Sequence, residues 1–182
     1  MLPAVLVNYQ KEKGTADEQI VRALYTAAGI GQVVAARAYI AGASGGCQAE
    51  IGTASAMAAG ALTALGGGTP SQITHAAAMA LKNLLGLVCD PVGGLVEVPC
   101  VKRNVIGSVN ALSAADMALA GIISRIPPDQ VIDAMREVGD HDASESARNR
   151  PGRPCQHAGS TRVVRGTGRR IKKTFIFGKL LV

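Results

Sequence analysis

Cys47, Cys89 and Cys100 are the side chains best suited to chemistry. They lie in the turn-rich segments Gly45-Gly46-Cys47-Gln48-Ala49-Glu50 and Cys89-Asp90-Pro91-Val92-Gly93-Gly94-Leu95-Val96-Glu97-Val98-Pro99-Cys100. Iron-sulfur clusters are held by thiolates, and a cubane with only three of them keeps one iron open to water or substrate. An open iron is a Lewis acid. Spacing alone, 41 residues between the first pair and 10 between the second, leaves other readings standing. Cysteine also serves as inert core filler. A zinc site of three cysteines completed by His75 stays open too, although no CxxC pair is present. A disulfide framework is disfavoured by the four cysteines in 182 residues and by the expected absence of a secretory leader.

Around these thiols stand further candidates. Lys102 and Arg103 follow Cys100 directly and could offset the charge of a thiolate-bound centre or hold a carboxylate, Arg in a bidentate manner. Their bland alternative is a solvated pair at a helix start. His75 has the titration range of a general base, yet a histidine on a helix margin is more often structural. Glu50 and Glu97 have similar status, and Asn83 and Asn104 suit hydrogen bonding to loop backbone.

These residues must be positioned by helices. The composition is 48% hydrophobic but only 3% aromatic with no Trp, so the core is built from Ala, Leu, Val, Ile and Met, which favours closely packed helices in one domain. Lys11 to Thr15 reads as a loop. Asp17 and Glu18 suit a helix N-terminus, and Ile20, Ala23, Leu24, Ala27 and Val34 recur at helical spacing, with Gly29 and Gly31 marking close packing or a break. Tyr39 to Cys47 forms a small-residue loop that sets Cys47 at the threshold of a helix from Ala49 to Leu65, where free N–H groups favour thiolate. Thr69-Pro70 restarts a helix as N-cap and first residue. Its stripe is Ile73, Ala76, Ala77, Ala80, Leu81, Leu84 and Leu85. Gly86 to Cys100 is an irregular loop broken by Pro91, Gly93-Gly94 and Pro99. Helix resumes near Lys102 and runs to about Ser124, and after Pro127-Pro128 a last amphipathic helix reaches Val138. Strand signals are scarce, so the expected class is all-α: a single Ala/Gly-rich helical domain with irregular Gly/Pro loops carrying cysteines, plus a poorly ordered basic tail.

Charge divides the chain sharply. From Met1 to Gly139 nine Lys/Arg face ten Asp/Glu, whereas from Asp140 to Val182 ten face three. The first part carries no nucleic-acid footprint. Its apolar runs do not suit membrane insertion, because Thr53–Leu65 is too short and Val105–Ser124 contains Asn110 and Asp116.

Three segments together carry a family resemblance: Gly46-Cys47-Gln48-Ala49-Glu50-Ile51-Gly52, Leu81-Lys82-Asn83-Leu84-Leu85-Gly86-Leu87-Val88-Cys89-Asp90-Pro91, and Leu95-Val96-Glu97-Val98-Pro99-Cys100-Val101-Lys102-Arg103-Asn104. From about Leu2 to Gly139 the chain resembles the α domain of iron-sulfur-dependent L-serine dehydratases. The resemblance implies a [4Fe-4S] cluster on Cys47, Cys89 and Cys100, with a free iron that binds the serine hydroxyl while a base removes the Cα proton. Elimination of water, then tautomerisation and hydrolysis, would give pyruvate and ammonia, a step of amino-acid catabolism feeding gluconeogenesis. It further implies L-serine as substrate, a β chain or self-association as partner, and a reducing cytoplasm, with no nucleic acid or membrane involved.

The chain departs from the family at both ends. A Ser-Ser-Ser-His-Thr segment thought to shape the substrate pocket is expected ahead of Leu2, and residues 1–139 then read as a partial catalytic domain. At the other end, family members continue with a His-Pro-Ser-Leu-Arg-Glu-Thr run where this chain has Asp140 to Asn149. One permitted codon choice, GAU CAU GAC GCA UCC GAA UCU GCG CGA AAC, gives Ile-Met-Thr-His-Pro-Asn-Leu-Arg-Glu-Thr when moved one base forward. Residues 140–182 are therefore expected to be an out-of-frame basic tail, in which His141, Cys155, His157 and the cluster from Arg162 to Lys173 carry no evolved function. The competing expectations are a non-catalytic helical remnant that binds a cluster, zinc or nothing, and a basic-tailed RNA-binding protein.

Overall fold

The computed structural model describes residues 1–89 and 97–148, with backbone alone at 97–98 and 142–148. Within them the chain is helical and contains no strand, in agreement with the expected class. In order come α1 (Leu2–Lys13), α2 (Asp17–Arg37), a short α3 (Gly42–Cys47), a π-helical turn (Gln48–Gly52), α4 (Thr53–Leu65), α5 (Pro70–Lys82), α6 (Glu97–Leu119) and α7 (Pro128–Arg148). The loop centre from Asp90 to Val96 and the tail beyond Arg148, with Cys155, His157 and the Arg162–Lys173 cluster, lie outside the described residues.

α4 is the axis of the domain and packs against α1, α2, α5 and α6. It is buried on every side, from Thr53 through Ala56, Ala58, Ala59, Gly60 and Ala61 to Thr63, which is the signature of a central helix rather than an amphipathic one. Only small side chains allow so many neighbours. At Gly60 an added Cβ would collide with Ile30 Cδ1 on α2, so the end of that side chain rests directly on the glycine. Apolar contacts then divide into three patches around α4. One joins it to α5 and α6 through Ala76, Ala80, Ala111, Ala114, Ala115 and Ala118. A second brings Val131, Ile132 and Met135 of α7 onto Val34, Ala77, Ala78 and Leu81. The third seats Leu6 of α1 with Ala23, Ala27 and Ala61.

Local signals explain several boundaries. Thr69 and Gln72 form a reciprocal cap on α5, with Gln72 N–H donating to Thr69 Oγ1 at 3.3 Å and Thr69 N–H to Gln72 Oε1 at 2.9 Å. Gln72 Nε2 also donates to the Ala118 carbonyl at 2.9 Å, which ties the start of α5 to the end of α6. α2 runs unbroken through Gly29 and Gly31, so neither marks a break; Gly31 packs against Met57 of α4, whereas Gly29 faces open space. Several expectations shift. The expected Tyr39–Cys47 loop contains α3, and α4 starts at Thr53 after the π turn rather than at Ala49. α1 continues to Lys13, into the expected loop, and α6 begins at Glu97 rather than near Lys102, so Cys100 belongs to a helical first turn. The same helix ends at Leu119, short of Ser124. α7 passes Val138 and reaches Arg148, crossing the boundary expected at Gly139.

At the α2–α7 junction Arg37 donates to both carboxylate oxygens of Asp133, at 2.7 and 3.2 Å, and lies 3.6 Å from Asp129. The Tyr39 hydroxyl donates to Asp140. These polar links hold α7 against the turn that carries Cys47.

Candidate functional site

Cys47 ends α3, and it is 2% exposed. The residue before it breaks the helix: Gly46 has φ 74° and ψ 179°, a conformation essentially reserved for glycine. A Cβ at this position would stand 3.1 Å from the Leu87 carbonyl oxygen and 3.4 Å from Val88 Cα. The backbone leading into Cys89 therefore lies directly on Gly46. Immediately after Cys47 the chain widens into the π turn, a feature that recurs at functional sites. The backbone N–H of Gln48 donates to Leu87 O at 2.8 Å. Its buried side chain takes an N–H from Gly86 at 3.0 Å and gives one to the Met135 carbonyl at 3.2 Å.

The third cysteine arrives from α6. Cys100 is half-buried, and one turn later Arg103 Nη1 donates to Cys47 Sγ at 3.1 Å and to the Val88 carbonyl at 2.8 Å. One guanidinium thus touches the first thiol and the arm carrying the second, from the helix carrying the third. Burial pushes the Cys100 thiol up, and so do the charge and hydrogen bond of Cys47 and the charge of Glu50, while Arg103 opposes them. Cys47 and Cys100 are consequently neighbours in space, with Glu50 beside them. Two thiolates and a carboxylate this close repel one another unless cationic charge joins Arg103 among them.

Not every candidate gathers here. Lys102 is exposed. His75 is half-buried on α5, with Nδ1 buried and unpaired, and it sits one turn from Gln72, which reaches Ala118 at the far end of α6. Ala118 is 18 residues from Cys100, or about 27 Å along that helix, so His75 belongs to the opposite end of the bundle. The Glu97 side chain lies outside the described residues. Among the described residues Asn104 and Asn83 bond groups other than loop backbone. Asn104 Nδ2 donates to the Cys100 carbonyl at 2.9 Å within α6, and Asn83 Nδ2 donates to Asn110 Oδ1 at 2.7 Å. Asn110 in turn donates to Ser55 Oγ and to the Ala80 carbonyl, both at 2.8 Å, and Ser55 Oγ donates to Gly107 O at 2.8 Å. This satisfied network locks α4, α5 and α6 just behind the thiols. Sequence reasoning missed Gln48 and Asn110 as organising residues. The available signal was a polar amide in an otherwise small-residue, apolar stretch.

Among the described residues no three His, Cys, Asp or Glu side chains are grouped tightly enough to hold a single metal ion. In a tetrahedral zinc site, sulfur ligands about 2.3 Å from the ion stand roughly 3.8 Å apart. A four-iron cube is wider than one ion, and its three ligands stand further apart. Three cysteine-bearing segments, one half-buried cation and the close backbone approach at Gly46 meet at this end of the domain, and thiolates are the donors such a group takes.

An all-helical domain that gathers three cysteines from a turn, a loop and a helix start defines a class of thiol-lined site. Residues 1–149 match the family model described as Serine dehydratase alpha chain, and the chain belongs to that family. It is 58% identical over 139 residues to the probable L-serine dehydratase alpha chain of Bacillus subtilis, covering 76% of this chain and 46% of that one. It is 59% identical over 140 residues to the corresponding probable alpha chain of Latilactobacillus sakei, covering 77% and 67%. The L-serine dehydratase TdcG of Escherichia coli is 45% identical over 141 residues, 76% of this chain and 31% of the other. The chain spans about half the length of the Bacillus relative. No helix among the described residues is long and apolar enough to cross a membrane.

Proposed function

We propose that this chain is the cluster-holding part of an L-serine dehydratase that converts L-serine to pyruvate and ammonia by α,β-elimination. Cys47, Cys89 and Cys100 would be the ligands of a [4Fe-4S] cluster. The observation that carries the reading is Arg103, whose one nitrogen reaches both Cys47 Sγ and the residue before Cys89 from one turn beyond Cys100. When bound, the cluster supplies a Lewis-acidic iron for the substrate hydroxyl, since hydroxide is otherwise a poor leaving group. The remaining work falls to protein groups. Arg103 balances thiolate charge. Gly46 lets the Cys89 arm close on Cys47. Glu50, beside Cys100, is better placed than His75 to exchange a proton at this end of the bundle. The substrate carboxylate would meet Arg103 or Lys102, and a β chain or a second copy would complete the enzyme in a reducing cytoplasm.

Anaerobic reconstitution with iron and sulfide tests the cofactor. The expected product is brown, with broad visible absorption, and the Cys47→Ala, Cys89→Ala and Cys100→Ala chains stay colourless; a colourless wild type refutes the reading. A serine-dependent pyruvate assay, with and without a β chain, tests the activity separately. For residues 140–182 we infer an out-of-frame origin, supported by relatives whose matches cover 76–77% of the chain, although α7 and the family match both pass Gly139. Codons at 137 to 145 that cannot give the shifted reading would end that inference.

A further inference from the structure

We propose that Gln48 is the positioning residue of the thiol site, clamping the Cys89 arm and α7 to the turn that carries Cys47. This rests on the reading of the three cysteines as ligands of one centre. Gln48 is 2% exposed, and a buried carboxamide is retained only where both its ends are satisfied. Here each end has a distinct partner: the oxygen accepts from Gly86 N–H at 3.0 Å, and the nitrogen donates to Met135 O at 3.2 Å. Only one orientation of the amide serves both, because the first partner is a donor and the second an acceptor. Its own backbone N–H adds a bond to Leu87 O at 2.8 Å. One residue therefore grips two consecutive positions of the arm that runs on to Cys89, and anchors them to a third element.

No similar side chain replaces it. Glutamate keeps an acceptor for Gly86 but turns a carboxylate oxygen toward the Met135 carbonyl in a buried place. Methionine fills the volume and leaves both partners unpaired. Gly86 is exposed, so without the carboxamide its N–H faces solvent and the arm is released just ahead of Cys89. Gln48 is the first residue of the π turn, and from there its side chain spans from Gly86 on the arm to Met135 on α7.

The test uses the full chain with Gln48→Met, Gln48→Glu and, as a control for general destabilisation, Thr63→Val. Thr63 is buried at the far end of α4, where its hydroxyl donates to Ala59 O at 2.8 Å. In the apo-protein, amide hydrogen exchange at Gly86 should accelerate about tenfold in Gln48→Met, the equivalent of one lost hydrogen bond, and remain at the wild-type rate in Thr63→Val. Gln48→Glu should retain Gly86 protection. Iodoacetamide should alkylate Cys89 faster in both Gln48 variants, with Cys100 unchanged. After anaerobic reconstitution, the half-life of visible absorption should fall about tenfold in Gln48→Met, in line with the loss of groups that orient metal ligands. Unchanged Gly86 exchange and Cys89 alkylation overturn the proposal, as does a Gln48→Met cluster as long-lived as wild type. If Gln48→Met does not fold, Gln48→Glu decides through Cys89 alkylation. A wild type that takes up no cluster refutes the cofactor reading instead, while exchange and alkylation still decide the role of Gln48.

Discussion

Replacing Arg103 by Met removes a charge and the hydrogen bonds to Cys47 Sγ and Val88 O while keeping much of the aliphatic stem, and its consequences can be scaled. A hydrogen bond to an ionised group contributes about 1.5–3 kcal/mol. Arg103 is only half-buried, so solvent screening brings the estimate toward the lower end. That leaves about 1.5 kcal/mol for the contact with Cys47 Sγ, or roughly tenfold in an equilibrium constant. Loss of groups that orient metal ligands commonly costs about 10–100-fold in affinity, which agrees. The assay follows the decay of visible absorption of the reconstituted chain in the presence of an iron chelator under anaerobic conditions. Arg103→Met should lose its cluster about tenfold faster than wild type, Arg103→Lys should recover part of the difference, and Lys102→Met should match wild type because Lys102 is exposed. Equal lifetimes for Arg103→Met and Lys102→Met would refute the reasoning, since the distinction between these adjacent cations is what the geometry asserts.

Gly46→Ala should lower the melting temperature by about 4–8 °C, from roughly 2 kcal/mol of backbone strain in a domain of this size. It should also loosen the Cys89 arm, which thermal melts paired with Cys89 alkylation would register. Asn110→Leu should cost about 2 kcal/mol in urea unfolding by breaking three side-chain bonds. Because Asn110 and Ser55 share one of those bonds, the Asn110→Leu/Ser55→Ala pair should be less destabilised than the sum of the single variants. The hydrogen bond from Arg37 holds the Asp133 carboxyl below the ordinary carboxylate range. A folded-state value depressed in this way contributes stability above the unfolded value near 3.9 and loses it as pH falls through the folded one. Asp133→Asn should therefore narrow the difference in urea midpoint between pH 6 and about pH 3 relative to wild type; an unaltered difference would count against the pairing.

The helices were legible because their signals are local. Thr69-Pro70 fixed the start of α5, and the small-residue run through Gly60 announced a helix that others crowd against. Cysteine order and turn chemistry likewise brought Cys47, Cys89 and Cys100 forward as a set. What escaped was long-range pairing. That Asn83 bonds Asn110 and not a loop follows from the antiparallel register of α5 and α6, which no single-helix pattern encodes. The same register carries His75 away from the thiols while its residue type alone kept it a candidate. The start of α6 was misplaced because Pro99 reads as a breaker, although a proline within the first turn of a helix forgoes an N–H that has no partner there anyway.

The non-cysteine residues of the two cysteine segments have complementary tasks. Gln48, next to Cys47, reaches forward to Gly86 and Leu87, and Arg103, one turn after Cys100, reaches back to Val88. The arm that delivers Cys89 is thus held from one side by the turn of the first thiol and from the other by the helix of the third. Both grips act on the residues just ahead of Cys89 and so fix the path by which the chain delivers its thiol. Ordering a loop costs about 1–2 kcal/mol per residue in backbone entropy, and three bonds at consecutive positions 86, 87 and 88 meet that cost as the helices pack. A centre bound afterwards need order less of the chain, so more of its binding free energy remains to hold the centre itself.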